Sequence, residues 1–301
     1  MRITGMRGKR ALVVLLAFGL VAAACGDDDE TADSTTVPAA TDDTTGNTEP
    51  APDACAPESL PLKTAGTLTV ATGEEVFPPW MEDNDPANGQ GFEGALVAAL
   101  SEQLGVPVEF VRTGFDEAIA PGEKDYDFNV QQYSITAERD EVVDFSEGYY
   151  DVEQALIAPD GSSVIGAASL DDLKDKKLGA AIGTTSLTYI EDVIQPDSEA
   201  AVYDDNAALK AAFDAGQVDG AVFDLPTAYY VTAVEIDTSS IVGVLPQVGG
   251  EPEQLGLLFE DASPLVDCVN QALAALREDG TLESLEDEWL NQGGSIPSLT
   301  E

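Results

Sequence analysis

From Leu62 onward the apolar residues follow two alternating rhythms. "GTLTVAT" (66–72) is a short apolar run of the kind a buried strand needs. "GALVAALSEQLG" (94–105) instead puts Leu96, Val97, Leu100 and Leu104 on one helical face, with Gly105 as the stop signal. "VPVEFVRT" (106–113) and "YDFNVQQ" (126–132) read as further strands. Past residue 160 the order repeats through "KKLGAAIG", "TSLTYIEDVI", "AAVYDD", "NAALKAAFDAG", "VDGAVFD" and "LPTAYYVTAV". Strand followed by helix, several times over, predicts an α/β architecture with largely parallel sheets, and a break near residues 150–160 divides it into two lobes.

Ahead of Leu62 the rhythm is absent. Arg2, Arg7, Lys9 and Arg10 precede an apolar run, Ala11 to Val21, and then Ala22-Ala23-Ala24, so residues 1–24 read as a cleaved export signal whose apolar part is too short to span a bilayer. Small residues followed at once by Cys25 resemble the lipobox of bacterial lipoproteins, with Ala22 where leucine is more usual. That resemblance implies a lipidated Cys25 anchoring the protein outside the cell membrane; a soluble secreted protein cut near Cys25 is the alternative. Residues 25–61 are rich in Asp, Thr, Pro and Ala, with no aromatic residue and no base, and read as a disordered acidic tether.

The chain's 301 residues are enough for two lobes with their own cores, and its 44% hydrophobic and 23% charged residues are ordinary globular values. Its charge is not ordinary: 57 acidic residues face 13 basic ones with no histidine, a formal net charge of -44. Nucleic acid and an anionic membrane surface both require a basic face, so neither is expected as a partner of the folded part. Cys55 and Cys268 remain once Cys25 is set aside, and an even pair in an exported protein predicts one disulfide, two unpaired thiols being the alternative.

Ligands of open α/β sheets bind beyond the carboxyl ends of strands, and several polar candidates follow predicted strands directly. Glu74 with Phe77 follows the first strand, Phe115 the second, Ser134 through Arg139 the third, Gly183-Thr184-Thr185-Ser186 the "KLGAAI" run, and Asp224 ends "GAVFD". Arg139 suits a carboxylate because its planar guanidinium can grip two oxygens at once, whereas a salt bridge to Glu138, Asp140 or Asp144 is the plainer reading. Thr185 lies at a helix start whose free N–H groups favour an anion, or which Thr and Ser simply cap. Asp224, ending an apolar strand, calls for a cationic group or caps the helix that begins at Leu225-Pro226. Together, Arg139, Ser134 and Thr185 for a carboxylate and Asp224 for an ammonium describe a trap for a zwitterion, an α-amino acid.

With those motifs the chain resembles the family 3 polar amino-acid solute-binding proteins of ABC importers, which have a type II periplasmic-binding-protein fold like the glutamine-binding and lysine/arginine/ornithine-binding proteins. The resemblance runs from about Gly66 to Trp289 and rests on "GFEGALVAALSEQLG", "SITAERDEVVDFSEGYY", "AAIGTTS", "GQVDGAVFDLPTAYY" and "ALAALREDGTLESLEDEWL". It implies that Ser134, Arg139 and Thr185 hold the ligand carboxylate, that Asp224 holds the amino group, and that Phe77 and Phe115 enclose the side chain. It also implies an amino-acid ligand, permease subunits of an ABC importer as partners, a monomer, and no cofactor, metal or catalytic residue.

Some positions depart from the family pattern. The common "GFDxDL" is here Gly91-Phe92-Glu93-Gly94-Ala95-Leu96, without its second acid; Gly73 stands where an Asp is frequent; and Gln131 and Gln132 replace small residues. Glu74 and Gln132 are therefore candidates for touching a basic or amide side chain, although Glu74 and Glu75 read equally well as solvated loop charges. By analogy, residues 62–154 and 249–301 form lobe 1 and residues 155–248 form lobe 2, with hinges near "YYDVEQALIA" and "PQVGGEPEQLG". The rival is an enzyme on the same fold, an arogenate or prephenate dehydratase, in which carboxylates such as Glu74 would do the acid–base work. A receptor's sensing module and a surface-coat protein fit less well, for want of a signalling domain and of any use for the cleft residues.

Overall fold

The computed structural model describes residues 54–248, 252–290 and 296–301. The export signal and Cys25 lie outside the described residues. In chain order the first strands are β1 (Leu68–Gly73), β2 (Val108–Thr113), β3 (Phe128–Asn129), β4 (Val143–Phe145), β5 (Tyr150–Val152) and β6 (Gln154–Pro159). They are followed by β7 (Leu178–Ala181), β8 (Ala201–Tyr203), β9 (Gly220–Asp224), β10 (Ser239–Val244), β11 (Glu253–Leu255) and β12 (Leu258–Glu260). The helices are α1 (Phe92–Leu104), α2 (Phe115–Ile119), α3 (Thr185–Thr188), α4 (Asn206–Asp214), α5 (Leu225–Tyr230), α6 (Val266–Glu278) and α7 (Thr281–Trp289).

Two five-stranded sheets result, one per lobe, in the orders β2-β1-β3-β12-β4 and β10-β6-β9-β7-β8. Both are mixed rather than largely parallel. In lobe 1, β1 runs parallel to β2 and β3, but β12 enters antiparallel to β3 and β4. In lobe 2, β7 is parallel to β8 and β9, while β6 is antiparallel to β9 and β10. The cause is topological: β6 and β12 arrive from the opposite lobe, so the chain enters each sheet against its βαβ direction. Between the sheets, β5 and β11, which fall in the two segments expected to act as hinges, pair antiparallel as a two-stranded ribbon.

Each lobe buries its own core. Lobe 1 packs Leu68, Val70, Leu96, Leu100, Phe128, Phe259, Val269 and Leu273 together, and α1, α6 and α7 cover one face of its sheet. Lobe 2 buries Leu156, Leu178, Ala180, Ile190 and Val222 on one side and Ile157, Leu209, Phe213 and Phe223 on the other. Alternate side chains of β6 thus serve both faces of a sheet covered on both sides, the reason "QALIAP" reads as a continuous apolar run.

Several boundaries differ from expectation, each for a local reason. The predicted strand 126–132 shortens to β3: the Asp127 carboxylate takes the N–H groups of Lys63 and Thr69, and Gln132 turns left-handed at φ 52°. The tether ends earlier than residue 61, because Cys55 is bonded to the buried Cys268 on α6, and Leu60 packs on the lobe 1 core. The final residues, assigned to lobe 1, lie on lobe 2 instead. Ser298 bridges to Val244, Thr300 to Ser169, and Leu299 sinks into the lobe 2 core at 4% exposure. Finally, the helix read over 185–194 is α-helical only through α3 and then widens into a π-helical turn, Tyr189–Ile194, closed by left-handed Gln195 at φ 49°.

Candidate functional site

The strand ends of both lobes face a shared cleft of about 990 Å³. The lobe 1 wall carries Glu74, Phe77, Phe115, Gln132, Ser134 and Arg139; the lobe 2 wall carries Thr185 and Asp224. All eight residues singled out from the sequence for a ligand therefore line one cavity.

Arg139 sits in a 3-10 turn, Arg139–Glu141, directly after the loop that follows β3. Its Nη1 donates to the Ser134 carbonyl at 2.6 Å, and its Nη2 reaches across the cleft to the Gly183 carbonyl at 2.8 Å. Its guanidinium carbon lies 5.6 Å from the centre of the Phe115 ring, which stacks on Tyr133 at 4.5 Å and 25°. The salt bridge considered from the sequence does not form; two carbonyls and an aromatic face hold the cation instead. Burial lowers the Arg139 pKa, opposed by its electrostatic interactions with Tyr133 and Glu253. Gly183 suits its place: at φ +72° a side chain would be strained, and a Cβ would lie 2.5 Å from Asp116 Oδ1 unless that carboxylate moved.

On the opposite wall, capping and candidate binding share residues. Thr184 caps α3 by accepting the Leu187 N–H at 3.2 Å, which leaves the Thr185 hydroxyl facing the cleft. Asp224 caps α5 by accepting the Thr227 N–H at 2.9 Å, so the plainer reading of this residue also holds. One carboxylate oxygen suffices for the cap, and the residue still lines the cavity. Burial pushes the Asp224 carboxyl up to about 6, against the lowering effect of its Thr227 bonds, with Glu253 adding to the rise.

The lobes also meet away from these groups. Trp80, 1% exposed, donates its ring N–H to Thr227 Oγ1 at 2.9 Å, and Lys210 Nζ stands 5.0 Å from the centre of the Phe77 ring. Glu74 is solvent-exposed at the mouth of the cleft. Gln132 lines the cleft while bonded to a neighbouring acid. Its side-chain amide and its backbone N–H both donate to Glu93, the backbone bond at 2.8 Å.

Glu93 was read from the sequence only as a departure from a motif, yet it is a fully buried acid. The Tyr149 hydroxyl joins the two Gln132 donors at 2.5 Å, and burial pushes Glu93 up to about 7, offset in part by these bonds. Glu253 carries no local signal in the sequence. It accepts from the hydroxyls of Ser134 and Thr185, each at 2.6 Å, and from the side chain of Gln154. An acid inside the buried first turn of α1 was the available signal for Glu93; the loop-like hinge segment carried none for Glu253.

A family model for bacterial extracellular solute-binding proteins, family 3, matches residues 68–292. The chain belongs to this family. Among proteins of known function, it is similar to the L-cystine-binding protein TcyJ of Escherichia coli, at 29% identity over 230 residues that cover 76% of this chain and 84% of that protein. Among solved structures, an ancestral arginine-binding protein bound to arginine is similar at 31% identity and a TM-score of 0.63, covering 74% of this chain and 98% of that one. A second is an ancestral amino acid-binding protein described as a precursor of cyclohexadienyl dehydratase, at 30% identity and a TM-score of 0.61, covering 75% and 95% of the two chains. The two-lobed fold of this solute-binding protein is therefore the one its sequence resembles. No helix among the described residues is long and apolar enough to cross a membrane.

Proposed function

We propose that this solute-binding protein captures an amino acid with a cationic side chain outside the membrane and delivers it to the permease of an ABC importer. The observation that carries the reading is the placement of Arg139 and Asp224 on opposite walls of one cleft, 85 positions apart in sequence. Arg139 and the hydroxyls of Ser134 and Thr185 take the ligand carboxylate. Asp224, whose charge is costly where it sits, takes the ammonium and regains in that ion pair what burial removed. Phe77 and Phe115 give the side chain apolar walls, and the cleft-lining acids Glu74, Glu75, Asp116, Asp204 and Asp205 outweigh Lys210, which favours a cationic end. The relatives' names, cystine- and arginine-binding, agree with a zwitterion bearing a second cationic group.

Micromolar capture requires about -8 kcal/mol, within reach of two satisfied charge clusters and aromatic packing in a cleft that excludes water. The dehydratase reading is weaker here, because Glu74, which would carry its proton transfers, is exposed at the mouth rather than held beside the Arg139 seat. Attachment to the membrane through lipidated Cys25, and a monomeric state, complete the proposal. A thermal-shift screen of the mature chain against the common amino acids and L-cystine tests it. Arginine, lysine or ornithine should raise the melting temperature; a response confined to acidic or apolar amino acids overturns the side-chain class, and turnover of prephenate or arogenate overturns the transport reading.

A further inference from the structure

The hinge strand β11 begins with a carboxylate placed where the ligand's own carboxylate is assigned. Glu253 Oε1 accepts from Ser134 Oγ at 2.6 Å and from Thr185 Oγ1 at 2.6 Å, and Gln154 Nε2 donates to Oε2 at 3.1 Å and to Oε1 at 3.3 Å. Ser134 stands on lobe 1, Thr185 on lobe 2, and Gln154 opens β6 at the other crossing, so one side chain ties both lobes and both crossings. The Gln154 amide is fixed in turn by the Ser186 hydroxyl, which donates to its Oε1 at 2.6 Å. A hydroxyl has a single proton to give. While Glu253 is seated, Ser134 and Thr185 present only lone pairs to a second carboxylate, beside an existing negative charge.

We infer that Glu253 is an internal occupant of the carboxylate seat: it latches the ligand-free clamshell, and an incoming amino acid must displace it. The inference rests on the amino-acid reading of the cleft. An interaction made only without ligand subtracts from affinity. Glu253 thereby sets specificity, since a ligand profits from the seat only if its carboxylate, helped by Arg139, outcompetes an intramolecular rival. Opening of the cleft supplies the means of exchange: Leu255 keeps β11 bridged to Ser134, while Thr185 and Gln154 leave Glu253 with lobe 2.

The test uses the mature chain and the variants E253A and E253Q, the second retaining shape and amide hydrogen bonding, with thermal melts to establish folding. Small-angle X-ray scattering of ligand-free protein should show a larger radius of gyration for E253A than for wild type; an unchanged profile overturns the latch. Calorimetry should show L-arginine bound about tenfold more tightly by E253A, the equivalent of one lost charge-assisted hydrogen bond, and by E253Q to a lesser degree. Agmatine, which lacks the carboxylate, should gain nothing, and the pair L-cystine and cystamine should repeat the contrast. Unchanged or weaker L-arginine binding, or an equal gain for agmatine, overturns the occupancy. If wild type binds neither pair, the amino-acid reading fails, and the scattering comparison alone decides whether Glu253 ties the lobes.

Discussion

On the lobe 1 wall of the cleft, the key cation is held by the protein itself: Arg139 is 7% exposed, its guanidinium bonded to two carbonyls and facing the Phe115 ring. On the lobe 2 wall, the key anion is held far more loosely, with Asp224 bonded to Thr227 at the start of α5 and its carboxyl pushed up to about 6 by burial. The contrast follows from what each charge faces. A guanidinium has several donors in one plane and can satisfy carbonyls while offering the remainder to a ligand. A carboxylate at a strand end finds few donors, so its ionised form is costly until a cation arrives. In the proposed reading, one wall is preorganised and the other waits for its counter-charge.

The largest effect should come from R139A. It should weaken L-arginine binding by at least about 4 kcal/mol, roughly 1000-fold, and also lower fold stability by about 2 kcal/mol, because two carbonyls lose a charged donor. Calorimetry and denaturant melts read the two losses, and a loss of binding with undiminished stability would contradict the preorganised wall.

D224N should separate the walls most clearly. Binding should fall by about 3 kcal/mol, yet the ligand-free protein should become more stable at neutral pH by up to about 2 kcal/mol, since asparagine still caps α5 without a buried charge. For the same reason, affinity in wild type should decline as the pH drops below about 6, where Asp224 becomes protonated. A destabilised D224N protein would mean that the anion is as well supported as the cation.

A smaller, pH-limited effect is expected at Glu93, the buried acid behind the lobe 1 wall. Its carboxyl is raised from 4.5 to about 7, so the stability it contributes is complete below the lower value and is lost as the pH rises through the upper one. Melts of ligand-free wild type should therefore lose up to about 3 kcal/mol across that window, with Asp224 adding to the decline at its lower end. E93Q should remove the Glu93 share; an unchanged slope would show that the acid is not the group titrating.

Much of this molecule is legible without coordinates. The α/β alternation survives because buried strands and amphipathic helices leave different periodicities, and Arg139 and Asp224 are conspicuous as a rare arginine and as an acid closing an apolar run. The relations among residues are less visible. Gln132 is a polar loop residue that lines the cleft, and only the fold shows that its amide also bonds to Glu93. The tail residues 298–300 look like a continuation of lobe 1 because α6 and α7 belong there, but Leu299 finds its apolar pocket on lobe 2.

Sequence alone determined the two-lobed class, the cysteine pair and the identity of the charges that flank the cleft, because these depend on local periodicity, on counting and on residue chemistry. Tertiary structure alone decided that Glu93 is fully enclosed, that Arg139 spans both lobes, and that Glu253 reaches Ser134 and Thr185. Those facts depend on which distant segments share a few ångströms of space. A carboxylate in a polar segment has the same local signature whether it ends in water or in a seat made by residues 68 and 119 positions away.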